Sequence, residues 1–291
     1  MLLNYIKLGG TLFIPAIHKS LESTLHGKKY KNLKSVAVDI EDSIAENDVK
    51  EALKCIKNML KNFKKTELFV FIRPRNIEVL KEILQYANIE KMDGFILPKF
   101  SLVNAQGYLE LLRDTKFFIM PSIEGTELFE SAKLLNLRDI LLCHSEKIIL
   151  IRFGLEDMLR QLRMRRKCED SIFDFSVTSS IIGNFLAIFK SAGFEVSGGV
   201  YPCFEDKEGF KRDVIKDLKE GLFSKTIIHP SQIEIINDVY KVSKKEYEDA
   251  RKITTLKAAI GVNDAKMLES STMIPYAQYI LQRADEYGIQ K

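Results

Sequence analysis

The sequence predicts an α/β protein built as a (β/α)₈ TIM barrel with extra helices at its C-terminal end. Eight short apolar runs recur at roughly even intervals, each nearly continuous rather than alternating. Parallel strands buried on both faces read this way. The stretches between the runs carry apolar residues at helical spacing, and strands alternating with helices form a parallel sheet that eight units can close. The length, 291 residues, accommodates one barrel of about 250 residues and a tail.

The expected strands are TLFIPA (11–16), SVAVDI (35–40), LFVFIRP (68–74), GFILPK (94–99), FFIMPSIE (117–124), KIILIRFG (147–154), EVSGGVY (195–201) and KTIIH (225–229). Among the expected helices, 50–63 places Ala52, Leu53, Ile56, Met59, Leu60 and Phe63 on one face. Segments 77–87, 102–114, 180–193 and 209–221 follow the same pattern, and several stop at glycine. After KTIIHPSQ the strand signal ends, and 243–262 and 272–288 read as two further helices joined by the loop GVNDAKMLESST. The expected organisation is a catalytic barrel over 1–242 and a helical extension over 243–291, packing on the barrel or on a neighbouring subunit. Periodicity does not show closure, so an open doubly wound sheet is the alternative. No G-x-G-x-x-G follows a strand, which counts against a dinucleotide-binding version.

Composition removes several classes of function. A formal charge of +4, from 44 Lys and Arg against 40 Asp and Glu, does not suggest a nucleic-acid binder. The N-terminal residues lack a basic n-region and a cleavage pattern, and no apolar run approaches the ~18 residues of a membrane span, so a cytoplasmic protein without a membrane partner is expected. Cys55, Cys143, Cys168 and Cys203 have no CxxC spacing, which argues against a zinc site or a disulfide framework and fits a reducing compartment.

The polar residues concentrate at the ends of the expected strands. Asp39, Glu41 and Asp42 end the second, Arg73 the third, Lys99 the fourth, Glu124 the fifth and His229 the eighth, with Asp157 just past the sixth. In a barrel these ends share the face on which active sites are built. A single acid after a strand often serves as a helix cap, and a single arginine as an ion-pair partner. A whole set at one rim is harder to explain that way, because gathered like charges need a cation or donors to compensate them. Mg²⁺, or Mn²⁺, prefers oxygen ligands and takes one or two carboxylates, which Glu124 and Asp157 could supply. Such a metal polarises a substrate carbonyl and stabilises a developing enolate, while the Arg73 fork suits a substrate oxygen or carboxylate. The basic run Arg160, Arg163, Arg165, Arg166 and Lys167 reads either as a solvated helix face or as a phosphate-binding rim. A Schiff-base role for Lys99 is redundant beside paired acids.

Taken in order, these segments resemble the citrate lyase beta-subunit-like family of the HpcH/HpaI aldolase superfamily. LFIPA stands where that family has an LFVPG-type strand, and AVDIEDSI where it has LDLEDAV. FIRPRN, FILPK, PSIEG, IRFGLEDM and TIIHPSQIEIIND match its VRVN, LPK, IE-T, FG-x-ED and IHP-x-Q-I segments, and DAKMLESSTMIPYAQYIL its tail. The residue after LFIP is Ala16 rather than glycine, and Gly9, Gly10 and Thr11 stand where members usually have an arginine, while FIRPRN, GFILPKF and the LRMRR after LEDM resemble a divergent bacterial branch.

The resemblance implies a Mg²⁺-dependent carbon–carbon lyase or aldolase acting on a β-hydroxy or 2-oxo acid, including CoA thioesters. It implies Glu124 and Asp157 as metal ligands, Arg73 as the oxygen binder, and Glu41 and Asp42 as their support. Gly154 and its neighbour Leu155 would offer backbone N–H groups to a substrate carboxylate, with Lys99 and His229 at the substrate. A metal-dependent CoA-thioester hydrolase and a degenerate metabolite-binding barrel are the alternatives. A homo-oligomer, trimer or hexamer, is expected from the same likeness.

Overall fold

A computed structural model describes residues 4–27, 29–256, 260–263 and 266–290, with backbone alone over 260–263 and 266–271. Eight parallel strands line up in the order β7-β6-β5-β4-β3-β2-β1-β8: β1 Thr11–Pro15, β2 Ser35–Asp39, β3 Phe69–Arg73, β4 Gly94–Leu97, β5 Phe118–Ile123, β6 Ile151–Phe153, β7 Val196–Ser197 and β8 Thr226–Ile227. The register is continuous from Thr11↔Ser35 and Ser35↔Phe69 to Ser122↔Arg152 and Arg152↔Ser197. The seam between β7 and β8 is joined by a parallel bridge, Ser197↔Phe223, and by N–H donation from Phe223 to Val196 O (3.0 Å) and from Thr226 to Gly198 O (3.2 Å). The sheet therefore curls into a barrel, and the open-sheet alternative is set aside.

The helices around it are α1 Leu21–Leu25, α2 Val49–Asn62, α3 Ile77–Ile83, α4 Ala105–Leu112, α5 Ser131–Leu142, α6 Leu155–Leu162, α7 Ser176–Lys190 and α8 Lys207–Lys219, and the chain continues into α9 Gln232–Val239. α2 buries Ala52, Leu53, Ile56, Met59 and Leu60, the face its spacing foretold. Inside the barrel, Ala37, Phe71, Ile96 and Met120 pack with Leu8, Ile149 and Leu150, and the 3₁₀ turn Tyr5–Leu8 contributes to this layer. The last three strands are shorter than their apolar runs. At β7 the chain leaves the sheet at Gly198, where a Cβ would lie 2.1 Å from Asp217 Oδ2, so helix α8 presses directly on the backbone.

Two compact units partition the chain, Met1–Ile233 and Glu234–Lys291. In the second, α10 Lys244–Thr255 and α11 Ser270–Tyr287 pack around Val242, Ala250, Ile253, Ala277, Ile280 and Ala284. The expected helix to 262 stops at Thr255, where Leu256 takes an extended conformation. The expected loop is instead an antiparallel pair, β9 Ile260–Asn263 with β10 Lys266–Glu269, while residues 257–259 and 264–265 lie outside the described residues. No helix among the described residues is long and apolar enough to cross a membrane.

A second correction concerns the cysteines. Cys168 and Cys203 form a disulfide, 5.9 Å apart at Cα and 35 residues apart in sequence. Spacing gave no sign of it, because the pairing depends on the α6–α7 connection meeting the loop after β7. Tyr201 reinforces this meeting by donating its hydroxyl to Cys168 O at 2.8 Å.

Candidate active site

The strand ends carrying the charged residues open onto a cavity of about 460 Å³ lined by Phe13, Asp39, Asp42, Arg73, Ile96, Ser122, Glu124, Arg152, Gly154, Leu155, Glu156 and Asp157, among others. Its chemistry divides into two clusters joined by Lys99.

The first cluster surrounds Arg73. Asp39, 1% exposed, takes a fork from Arg73 (Nε–Oδ1 2.5 Å, Nη2–Oδ2 2.7 Å). The same carboxylate accepts the backbone N–H groups of Glu41 (3.0 Å) and Ser43 (3.2 Å), so it orients the arginine and shapes the loop after β2 together. Burial opposes its charge, but Arg73 and these N–H donors outweigh it and hold the Asp39 carboxyl below its ordinary range. Arg73 also meets Glu41 Oε2 at 3.1 Å and Asp42 Oδ2 at 3.6 Å. Arg75 fastens the loop by donating to the carbonyls of Glu41 (3.2 Å) and Ile44 (2.9 Å). Burial, then the hydrogen bond with Asp42, push the Glu41 carboxyl up to about 7 against the pull of Arg73 and Lys99.

The second cluster surrounds Glu124, 5% exposed at the end of β5. Its Oε1 accepts the backbone N–H of Lys99 at 2.7 Å and its Oε2 the hydroxyl of Ser122 at 3.1 Å. Lys99 reaches this geometry at φ 47°, a left-handed conformation that costs a non-glycine residue about 1–3 kcal/mol and tends to mark functional sites. Its ammonium contacts Glu41 and, at 3.1 Å, Asp42 Oδ1, so one residue ties the two clusters together. Asp157 sits in the first turn of α6, where the helix dipole favours an anion, and accepts from Arg160 at 2.5 Å. Gln161 secures the approach of α6 to β5 by donating to Glu124 O (2.8 Å) and Asp157 O (3.0 Å). Burial raises the Glu124 carboxyl above its usual range, and the neighbouring Asp157 charge adds to the rise.

Gly154 explains how two acids come so close. Its φ of −81° is ordinary, yet a Cβ there would lie 2.0 Å from Glu124 Cβ, so only glycine admits the strand end to the helix start. Its own N–H is taken by Ile123 O at 3.0 Å. The N–H groups of Leu155, Glu156 and Asp157 are the ones a helix's first turn leaves without an intrahelical acceptor.

A divalent cation fits this donor set. No group of three or more His, Cys, Asp or Glu side chains gathers as a cage among the described residues. Mg²⁺ needs fewer, since it binds through one or two carboxylates and fills its octahedron with water or substrate oxygens. Glu124 and Asp157, close enough for the Asp157 charge to be felt at Glu124 and free of soft ligands, are the residues that would hold it.

Of the other sequence-derived candidates, His229 stacks on Phe204 (ring centroids 4.7 Å apart) with Nδ1 2.8 Å from Ser231 Oγ, outside the cavity lining. The basic run does not act as one rim. Arg160 holds Asp157, while Arg166 is buried in an ion pair with Asp213 (2.8 Å), which with Asp217 also holds the buried Lys225 (2.6 and 2.7 Å). Sequence reasoning missed Arg152, a buried arginine on β6 that lines the cavity; its signal was a lone charge inside the run KIILIRFG.

Comparison with known proteins agrees with this architecture. A family model described as C-C bond lyase of the TIM-barrel fold matches residues 2–289. A (3S)-malyl-CoA thioesterase of Cereibacter sphaeroides is 24% identical over 277 residues, 92% of this chain and 91% of that protein. Citrate lyase subunit beta of Escherichia coli is 29% identical over 154 residues, about half of each chain (50% and 49%). Among solved structures, CitE of Mycobacterium tuberculosis in complex with magnesium, acetoacetate and coenzyme A superposes with a TM-score of 0.72 at 19% identity, covering 97% of this chain and 100% of that one. The chain belongs to the C-C bond lyase family of the TIM-barrel fold, as a citrate lyase beta-subunit-like protein of the HpcH/HpaI superfamily.

Proposed function

We propose that the protein is a Mg²⁺-dependent lyase that cleaves a carbon–carbon bond next to a carbonyl in a β-hydroxy or 2-oxo acid. The observation that carries this reading is the pairing of Glu124 with Asp157 at the rim of a cavity that also receives Arg73. The CitE structure named above, which holds magnesium and a small oxo acid, supports the assignment. Bound there, the cation supplies Lewis acidity to substrate oxygens.

The chain's own residues perform the rest. Glu124 and Asp157 fix the binding point, and Lys99 N–H and Ser122 Oγ hold Glu124 in place. Arg73, immobilised by Asp39, turns a preorganised positive charge towards the cavity, where an oxyanion develops as the bond breaks and its electron pair passes to the carbonyl-bearing fragment. The substrate hydroxyl must lose a proton and the enolate carbon gain one. Glu41, with its carboxyl pushed up to about 7, and its hydrogen-bonded neighbour Asp42, which faces the cavity, are suited to exchange that proton near neutral pH. The N–H groups of Leu155 and Glu156 face a substrate carboxylate.

The test is a panel of β-hydroxy and 2-oxo acids, free and as CoA thioesters, incubated with Mg²⁺ or with EDTA. Formation of carbonyl fragments that stops with EDTA and in Glu124→Gln is expected. Cleavage that ignores EDTA would overturn the reading. The malyl-CoA thioesterase relative favours a second reading, hydrolysis of a CoA thioester. On malyl-CoA, a lyase releases glyoxylate with acetyl-CoA, and a thioesterase releases malate with free CoA thiol.

A further inference from the structure

We propose that Gln161 is a positioning residue for the metal site: it fixes the separation of the Glu124 and Asp157 carboxylates and so tunes the site to Mg²⁺ against larger divalent cations. The inference rests on the reading of Glu124 and Asp157 as the metal-holding pair and adds what decides which ion they take.

The two carboxylates come from separate elements. Glu124 stands one residue beyond β5, which ends at Ile123, and Asp157 lies in the first turn of α6. Each side chain has its own holders. Lys99 N–H and Ser122 Oγ bind the Glu124 oxygens, and Arg160 binds Asp157 Oδ1. These bonds orient each carboxylate but leave the distance between the two to the packing of α6 on the end of β5. Two hydrogen bonds across that junction bracket Asp157 in sequence. Before it, Gly154 N–H donates to Ile123 O at 3.0 Å. After it, one turn further along α6, the Gln161 amide donates to Glu124 O at 2.8 Å. The same amide nitrogen donates to Asp157 O at 3.0 Å, so Gln161 binds the backbone of both metal-holding residues at once.

The chemistry of this side chain suits the task. A primary amide carries two N–H donors on one nitrogen, so the half-buried Gln161 can span two carbonyls. Both partners are acceptors, which fixes the nitrogen end of the amide towards them. It brings no charge, whereas a lysine or arginine in its place would repel a cation held by Glu124 and Asp157. A fixed separation matters more to a small ion than to a large one. Mg²⁺ demands near-ideal octahedral geometry with oxygens at about 2.0–2.1 Å, while Ca²⁺ takes six to eight oxygens at about 2.3–2.6 Å in flexible arrangements. A pair of carboxylates free to spread therefore loses Mg²⁺ first.

The test measures ion affinities of the full chain, with Mn²⁺ as the probe followed by electron paramagnetic resonance, and Mg²⁺ and Ca²⁺ measured by their displacement of it. The wild type is compared with Gln161→Met and Gln161→Asn. Methionine keeps the length and removes the donors. Asparagine keeps the amide but is one carbon shorter, so it stays near Asp157 O in its own helix and falls short of Glu124 O. Each variant should lose about 10–100-fold in Mg²⁺ affinity, the range for residues that orient metal ligands from behind. Ca²⁺ affinity should change much less, so that the Mg²⁺-to-Ca²⁺ affinity ratio falls by about tenfold. A merely structural role would weaken both ions in parallel, and that result overturns the proposal. So do unchanged affinities in Gln161→Met, or a Gln161→Asn protein that matches the wild type, since the bond across to β5 would then be idle. Should Gln161→Met not fold, Gln161→Asn decides. Each of these failures leaves the metal-dependent lyase reading standing. Failure of the wild type to bind any of the three ions overturns that reading and this proposal together.

Discussion

The tightest contact in the site gives the sharpest prediction. In Gly154→Ala the new Cβ would lie 2.0 Å from Glu124 Cβ, 3.0 Å from Glu124 Cα and 2.8 Å from Glu124 Oε2. Carbon atoms pack at about 3.5–4.0 Å, so Glu124 or the start of α6 must retreat by roughly 1.5 Å. The backbone offers no escape, since β5 is held between two strands and Gln161 binds Glu124 O. Overpacking of this kind costs about 1–3 kcal/mol. Displacing Glu124 also strains its bonds from Lys99 N–H (2.7 Å) and Ser122 Oγ (3.1 Å). Losing one of these hydrogen bonds to a buried charge adds about 1.5–3 kcal/mol. The sum is about 2.5–6 kcal/mol, a fall in Tm of roughly 5–24 °C for a unit of this size at 2–4 °C per kcal/mol. The assay is thermal unfolding, followed by circular dichroism and scanned from both variants in parallel. The control is Gly183→Ala in α7, where nothing lies within 4 Å of the added Cβ and helix propensity should stabilise by about 0.5–1 kcal/mol. The steric argument fails if Gly154→Ala melts within a degree of the wild type or moves in the same direction as the control.

Three other outcomes follow from the same geometry. Asp39→Asn removes the charge that anchors Arg73 and should cost about 3–5 kcal/mol in chemical denaturation, as broken buried pairs do; a deficit under about 1 kcal/mol would show that Glu41 and Asp42 suffice to hold the arginine. Glu41 and Asp217 have carboxyls raised, chiefly by burial, to about 7 and about 6, so the folded state binds more protons than the unfolded one and their contribution to stability is lost as pH rises from about 4.5 to 7 for Glu41 and from about 3.8 to 6 for Asp217. Glu41→Gln and Asp217→Asn should each flatten that part of the stability profile, and a wild-type profile rising steadily across the window would contradict the assignment. Finally, titration of the unfolded, unreduced protein with a thiol reagent should count two thiols, Cys55 and Cys143, rising to four after reduction.

The barrel was legible because its signals are local and repeated. A strand buried on both faces shows as a continuous apolar run, and the α2 face emerges directly from 3.6-residue spacing. Legibility failed where tertiary contacts decide. The run 195–201 looks like a full strand, yet Asp217 of α8 presses on Gly198 and ends it after Ser197. Residues 260–263 and 266–269 resemble a helix end and a loop, but they pair as antiparallel strands, which no periodicity in so short a stretch reveals. The Cys168–Cys203 pairing joins two loops on separate βα units, and neither segment carries a sign of the other.

For the site, sequence position told which residues share the rim but not how their charges are divided. Strand-end placement alone brings Asp39, Arg73, Glu124 and Asp157 into one cavity. It does not show that Asp39 takes the fork of Arg73, which turns the arginine from a mobile ligand into a fixed positive surface. Nor does it show that Lys99 serves Glu124 through its backbone N–H, because that depends on a left-handed residue directly after Pro98. A reader of sequence assigns roles to side chains, so backbone donors escape notice. Arg152 escaped for the opposite reason: it lies within a strand, where a charge looks like an interruption of the pattern. In a barrel, however, the inward residue near the end of a strand forms the wall of the active site, so a charge at that register belongs to the cavity although it stands inside an apolar run.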